Sequence, residues 1–222
     1  MEYTGIDPVA LVGSEHMTSE KAKPRTRIQK QNIAAIMDAA LEVFSTNGFR
    51  GSTLDQIAQA AGISKPNLLY YFNSKQAIHI ALLSELLGVW LAPLREINPE
   101  GDAQAELMAY IRRKLELSRN FPRESRLFAN EIVQGAPRME VFLQNDLKHL
   151  VDEQAKVILN WMDDGKLALL DPYHLIFSIW AMTQHYADFD AQIRMVRADQ
   201  ITDSHDGAEE FVQSIFQKIL AP

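Results

Sequence analysis

Residues 64–71, Ser-Lys-Pro-Asn-Leu-Leu-Tyr-Tyr, combine side chains suited to gripping a polyanion and reading bases along it. Lysine and tyrosine bond phosphate oxygens, and an asparagine amide offers a base edge one donor and one acceptor. Ser64 is placed to cap a helix whose first amides face an anion, and Pro66 falls in the first turn, where its missing N–H costs nothing. A second group lies far along the chain. Phe177, Trp180, Ala181 and Gln184 fall at i, i+3, i+4 and i+7 and so share one helix face. A ring beside a carboxamide suits a small flat polar ligand, with a surface to stack on and both hydrogen-bonding senses at its edge. Trp90, just ahead of Pro93, offers a further wall. The plainer reading of both tryptophans is core packing. His149 and Glu153, at i and i+4, have metal-ligand spacing but read more simply as a solvated helix pair.

Catalytic machinery is harder to find. No G-x-x-x-x-G-K, H-E-x-x-H or G-x-S-x-G occurs, and with no cysteine there is neither a disulfide nor a thiolate metal site. His185 and Tyr186 are neighbours, but sequence adjacency gives no acid–base geometry. The reading is therefore a non-enzyme that calls for no cofactor and no metal. The net charge of −7 argues against a nucleic-acid partner until its distribution is read. Residues 1–20 carry four acids and no base, whereas residues 21–75 carry eight bases against Asp38, Glu42 and Asp55. The remainder is strongly acidic. A basic segment on an acidic body is the charge pattern of a DNA-reading module attached to something else.

The elements that position these groups are all helical. Residues 1–30 read as a disordered leader followed by a basic arm interrupted by Pro24, with Met17 an alternative start. Ile33, Ile36, Met37, Ala40, Leu41 and Phe44 then form one amphipathic stripe, ended by Asn47-Gly48. A short helix capped by Ser52 or Thr53 buries Leu54, Ile57 and Ala58 and stops near Gly62. The Ser64 helix follows, fixed by Ile63 and Leu69, and a longer one runs from Asn73 or Ser74 to Pro93. Further helices are expected at 103–120, 122–134, 137–165, 171–192 and 206–220, with breaks at Pro122, Gly135-Ala136-Pro137, Gly165 and Asp171-Pro172. The last two carry more apolar surface than one chain can bury. No stretch alternates like a strand, so the fold class is all-α: a three-helix head with a helix-turn-helix over 31–75 and a larger helical domain over 76–222. With no apolar run of about 18 residues and no export signal, neither a membrane nor secretion is expected, and the cytoplasm is the default.

The stretch GFRGSTLDQIAQAAGISKPNLLYYFNSKQAI, residues 48–78, resembles the DNA-binding signature of the TetR family of transcriptional repressors. By that resemblance Thr53, Ser64, Lys65, Pro66, Asn67, Tyr70, Tyr71 and Lys75 contact DNA, with Arg25 and Arg27 adding contacts from the arm. About half of each Tyr70 and Tyr71 ring is expected to be packed. In that family the last two helices pair across a two-fold axis, which implies a homodimer on a near-palindromic double-stranded operator, half-sites about 34–36 Å apart. The body stretches LLGVWLAPL (86–94), YIRRKLELSRNFPRESRLFANEIVQGAP (110–137) and DPYHLIFSIWAMTQHYADF (171–189) resemble the pyrimidine-responsive branch of the family. With the head, the resemblance spans roughly residues 25–195. It implies a domain that senses uracil or thymine, lined by Trp90, Phe177, Trp180 and Gln184, with Arg126, Phe128, Glu131 and Tyr186 added from the same stretches. Arg126 and Glu131 have an alternative as a surface or structural ion pair. Two other functions stay open at this point: a relative answering to a different small nitrogen compound, and an all-α DNA-binding dimer with no effector.

Overall fold

The computed structural model describes residues 26–222, so the leader and Arg25 lie outside the described residues. No strand is present among them. The chain divides into two compact units, Met1–Leu87 and Gly88–Pro222.

In the first unit, helix α1 (Arg27–Gly51) starts earlier than the arm expected through residue 30. The cause is a capping box: Thr26 Oγ1 accepts from the Gln29 amide, and the Gln29 side chain accepts from the Thr26 amide. Gly48 breaks α1 with φ 66° and ψ 174°, a backbone region that essentially only glycine occupies. Helix α2 (Leu54–Ala60) is capped by Thr53 in a second box with Gln56, and helix α3 (Lys65–Tyr71) is capped by Ser64. The turn between them needs Gly62 at φ 67°. Ile36, Met37, Ala40, Leu41 and Phe44 of α1 close over Ile57 and Ala58 of α2 and Leu68 of α3. Leu68, fully buried, anchors α3; Leu69, the expected anchor, is 37% exposed, because the helix phase set by the Ser64 cap turns position 68 inward.

Helix α4 (Lys75–Arg95) passes through Pro93 instead of ending there. A proline near a helix end forfeits one hydrogen bond, and the Glu96 amide donating to Ala92 O at 3.0 Å still closes the last turn. Among the described helices α4 alone is long and apolar enough to suit a membrane crossing, yet most of that window is buried within the protein. The boundary between the two units falls inside it.

The second unit is built on α5 (Ala103–Asn120), α6 (Pro122–Val133), α8 (Lys148–Asp163), α9 (Pro172–Asp188) and α11 (Ala208–Leu220), with short α7 (Glu140–Phe142) and α10 (Asp190–Val196). Asp102 caps α5 by accepting from the Ala105 amide, and Asp171 caps α9 by accepting from the His174 amide. Helix α9 packs against α5, α6 and α8, and α11 packs against α5. Buried Trp161 of α8 donates its indole N–H to Pro99 O at 3.0 Å.

Three expected helices differ in detail. The span 137–165 is interrupted by a wide π turn over Leu143–Leu147, where Asn145 donates its side-chain amide to Val141 O. The span 171–192 breaks at Phe189, which leaves helical geometry at φ −113°. The last helix begins at Ala208, after Gly207. Between α10 and α11 side chains hold the irregular chain. Asp206 accepts from the Thr202 and Asp203 amides, and Asp203 accepts from the His205 amide at 2.8 Å.

Candidate functional site

In the first unit α3 presents its polar face outward. Lys65, Pro66, Asn67 and Tyr70 are exposed, and Tyr70 is 70% so, more than the half-packed ring expected. Tyr71 is half-buried because its hydroxyl accepts from the Asn32 side-chain amide at 2.8 Å. Gln29 similarly reaches the Tyr70 hydroxyl at 3.5 Å. The two tyrosine rings stand edge to face, 5.0 Å apart. Thr53 and Ser64 are exposed N-caps, so the amide-rich starts of α2 and α3 both carry the partial positive charge that suits phosphate. Lys65 Nζ lies 2.9 Å from Asp55, an exposed pair of little stabilising value that a phosphate can displace. Arg27 opens α1 as its first helical residue rather than sitting in an arm.

Lys75 is placed differently from the DNA contact expected of it. Its ammonium donates to Phe49 O and Ser52 O, both at 2.6 Å, and stands 4.3 Å from the Phe49 ring centroid. Those carbonyls end the kinked α1 and precede α2, so Lys75 ties the start of α4 to the turn that launches the reading helices. Sequence reasoning missed this, along with Gln29 and Asn32; the signal for the latter two was polar side chains three apart at the start of α1.

The second unit holds a polar group inside an apolar core. Tyr110, Lys114 and Ser118 succeed each other at four-residue intervals on α5, so one helix face turns all three inward, and all are buried. Trp180 of α9 donates its indole N–H to the Tyr110 hydroxyl at 2.7 Å, leaving the tyrosine's own hydrogen to donate elsewhere. The Lys114 ammonium stands 4.3 Å from the Trp90 ring centroid. Burial pulls its pKa from the ordinary lysine range down to about 7, and Asp188 opposes that shift by its charge. Asp188 itself is raised, chiefly by burial, although it accepts from the Ser125 hydroxyl at 2.5 Å. Lys114 thus has the Trp90 ring against its ammonium, and the Trp180–Tyr110 hydrogen bond lies one turn away along α5. Gln184 is half-buried one turn beyond Trp180 on α9.

The other expected lining residues divide. Phe177, its ring 5.7 Å from Trp180, is about half exposed. Arg126 and Phe128 are half-buried on α6, and Arg126 contributes its charge to Asp188. Tyr186 faces His205, ring centroids 5.6 Å apart. Glu131 is not available to a ligand. Its two oxygens accept from the Arg138 amide at 2.8 Å and guanidinium at 2.7 Å, so its partner is Arg138 and not Arg126. That bond closes the turn that holds Ala136 at φ 54°, an uncommon conformation for a residue with a Cβ. Lys114 and Tyr110 were the residues sequence reasoning missed; a lysine on the apolar face of α5 was the available signal.

Two constellations resemble catalytic groups by residue type alone. His149 and Glu153 form a solvent-facing pair at 3.2 Å. Ser118, His205 and Asp203 form a serine–histidine–aspartate chain, with Ser118 Oγ 3.0 Å from His205 Nε2 and His205 Nδ1 3.3 Å from Asp203. The serine is fully buried and donates its hydrogen to Leu115 O, so the chain ties α5 to the segment before α11 and exposes no nucleophile.

Residues 36–82 match the family model "Bacterial regulatory proteins, tetR family", and residues 83–222 match "YcdC-like protein, C-terminal region". The chain is 49% identical over 179 residues to the HTH-type transcriptional regulator RutR of Escherichia coli K12, covering 81% of this chain and 84% of that protein. In fold it is similar to the ketosteroid transcriptional regulator KstR2 of Mycobacterium tuberculosis, with a TM-score of 0.69 at 18% identity over 86% of this chain and 95% of that one. A TetR-like transcriptional regulator from Rhodococcus sp. RHA1 has a TM-score of 0.63 at 20% identity, covering 88% of this chain and 97% of that one.

Proposed function

Because the chain belongs to the TetR family of bacterial regulatory proteins, we propose that it represses genes of pyrimidine catabolism and leaves its operator when uracil or thymine binds. It is a ligand-responsive transcriptional regulator of the helix-turn-helix type, not an enzyme; regulators of this family bind DNA, usually as dimers, together with a small-molecule effector. The observation that carries the effector reading is the group of buried Trp90, Tyr110 and Lys114 with half-buried Trp180, linked by the Lys114–Trp90 contact and the Trp180–Tyr110 hydrogen bond. A pyrimidine dione presents a flat face to the rings and two carbonyl oxygens to the Tyr110 and Lys114 donors. Its N–H groups need acceptors, and the Gln184 carboxamide on the same face as Trp180 supplies one. The body's likeness to RutR supports the same ligand class.

Lys65, Asn67, Tyr70, Tyr71, Thr53, Ser64, Pro66 and Arg27 form the DNA face, Lys65 and the helix starts on phosphate and Asn67 toward base edges. A second copy of the chain covers the apolar side of α9 and α11, where Tyr173, Phe177, Phe211 and Ile219 are left open to solvent. The two heads then meet a near-palindromic operator, and the work is done in the cytoplasm. Effector binding shifts the population away from the DNA-competent state by its differential affinity, typically 1–3 kcal/mol in such couplings. The test pairs calorimetry of the purified protein against uracil and thymine with fluorescence anisotropy on its own upstream DNA. Saturable binding near one site per chain, with release of DNA, is expected. No heat at several temperatures would sink the pyrimidine assignment while leaving the family assignment in place.

A further inference from the structure

Lys114 differs from the other lysines of the second unit in being sealed in the core, only 4% exposed. Among the described residues no carboxylate lies within ion-pair distance of its ammonium; what it meets is the Trp90 ring. A buried charge without a counter-charge is costly and persists where something else repays the cost. A flat ring gives a cation only part of what water gives it. One turn away, the buried Tyr110 hydroxyl accepts from Trp180 and keeps its own hydrogen to donate, so two buried donors share this face of α5. From α9 the charged group facing Lys114 is Asp188, itself bordered by Arg126 of α6 and His185 of α9. From α11 the charge nearest α5 is Glu209, paired on the solvent side with Arg112. From α4 the facing group is the Trp90 ring.

Resting on the effector reading above, we infer that ligand capture at this site is proton-linked: the site takes a ligand that offers an acceptor oxygen to the Lys114 ammonium, and draws a proton from solution to do so whenever the amine is neutral. The free site, with the Lys114 pKa lowered to about 7 by burial, is half neutral near pH 7. An acceptor oxygen placed on the ammonium raises that value again, so binding above pH 7 takes up a proton. A lysine anchoring ligand as a neutral amine acceptor gives the opposite sign, a proton released.

The test is calorimetry of the full chain with uracil at pH 6 and pH 8, each in phosphate and in Tris, whose ionisation heats differ. Carbon-13 resonances of ε-labelled lysine, followed against pH, accompany it, with K114M identifying the Lys114 signal. Uptake of about one proton per site at pH 8 and almost none at pH 6 is expected, with affinity falling about tenfold per pH unit above 7. The H185Q variant should keep the uptake, which separates Lys114 from the nearby histidine. Binding at pH 8 with no buffer dependence, or with proton release, overturns the inference. So does a Lys114 resonance that titrates in the ordinary lysine range. If uracil gives no heat at either pH while Lys114 titrates near 7, the protonation chemistry stands and the uracil assignment alone fails.

Discussion

Lys65, Lys75 and Lys114 are one residue type in three settings, and they separate the two units of the molecule. Lys65 stands in solvent on a reading helix, in an exposed pair with Asp55 that a polyanion can displace. Lys75, ten residues on, is turned inward onto two carbonyls and a ring. Lys114 lies in the core of the second unit with an aromatic wall for company. The head works by display: helix caps and an outward polar face, each a local consequence of a few consecutive residues. The body works by enclosure: the site proposed for its effector draws on α4, α5 and α9, from residues far apart in sequence. A motif describes the first kind of site well and the second hardly at all.

The sharpest way to break this contrast is K114M. Methionine matches the stem and removes the charge, so loss of a hundredfold or more in uracil affinity is expected, with operator affinity unchanged by anisotropy. Thermal stability should be unchanged or higher, since replacing a buried unpaired charge by an apolar group is commonly neutral to stabilising. If K114M still binds uracil, the enclosed cation is a packing accident. In the head, G62V forces a branched side chain into a left-handed backbone. A loss of about 1–2 kcal/mol in unfolding free energy is expected, with more than tenfold weaker DNA binding.

The lysine comparison in the head can be sharpened with salt. K65M should weaken DNA binding and reduce the slope of log affinity against log salt by about one phosphate contact. K75M should weaken binding through loss of the turn it holds and leave that slope as it was; a reduced slope in K75M would return Lys75 to the DNA face. A smaller effect belongs to the acid side of the stability curve. Asp206 is held below its usual 3.8 first by accepting from the Asp203 and Thr202 amides, and Asp203 likewise by the His205 amide. Depressed carboxyl groups contribute stability above their unfolded pKa that is lost as pH falls through the folded one. D206N should therefore make urea-unfolding stability less steep with pH below about 4 and leave it parallel to wild type above 6.

Local chemistry explains what the sequence disclosed. The stripe on α1, the Gly62 turn, the Ser64 cap and the all-helical class all come from contacts a few residues long. The same short-range logic hid the Thr26–Gln29 box behind Pro24, and it misassigned Leu69 for Leu68 because one residue of helix phase decides which side is buried. In the body, Trp90 and Trp180 were legible as aromatic positions. Tyr110 and Lys114 were not, because their meaning depends on what stands across from them. Glu131 was read as ligand lining from its neighbourhood in sequence, while the strained turn at Ala136 had already claimed it. Lys75 shows the same limit: a lysine in a DNA-binding signature carries no mark of which direction it faces.

The segment between α10 and α11 has one further consequence. With no regular helix, it would be expected to exchange its amide hydrogens as fast as a loose coil and to be an early target for proteases. Yet the amides of Thr202, Asp203 and His205 are all occupied by carboxylates, and His205 is fastened to Ser118 in the core. In deuterated buffer those three positions should retain hydrogen far longer than an irregular stretch ordinarily does, and limited trypsin digestion at Arg197 should be slow. A region that looks like a seam behaves as a knot.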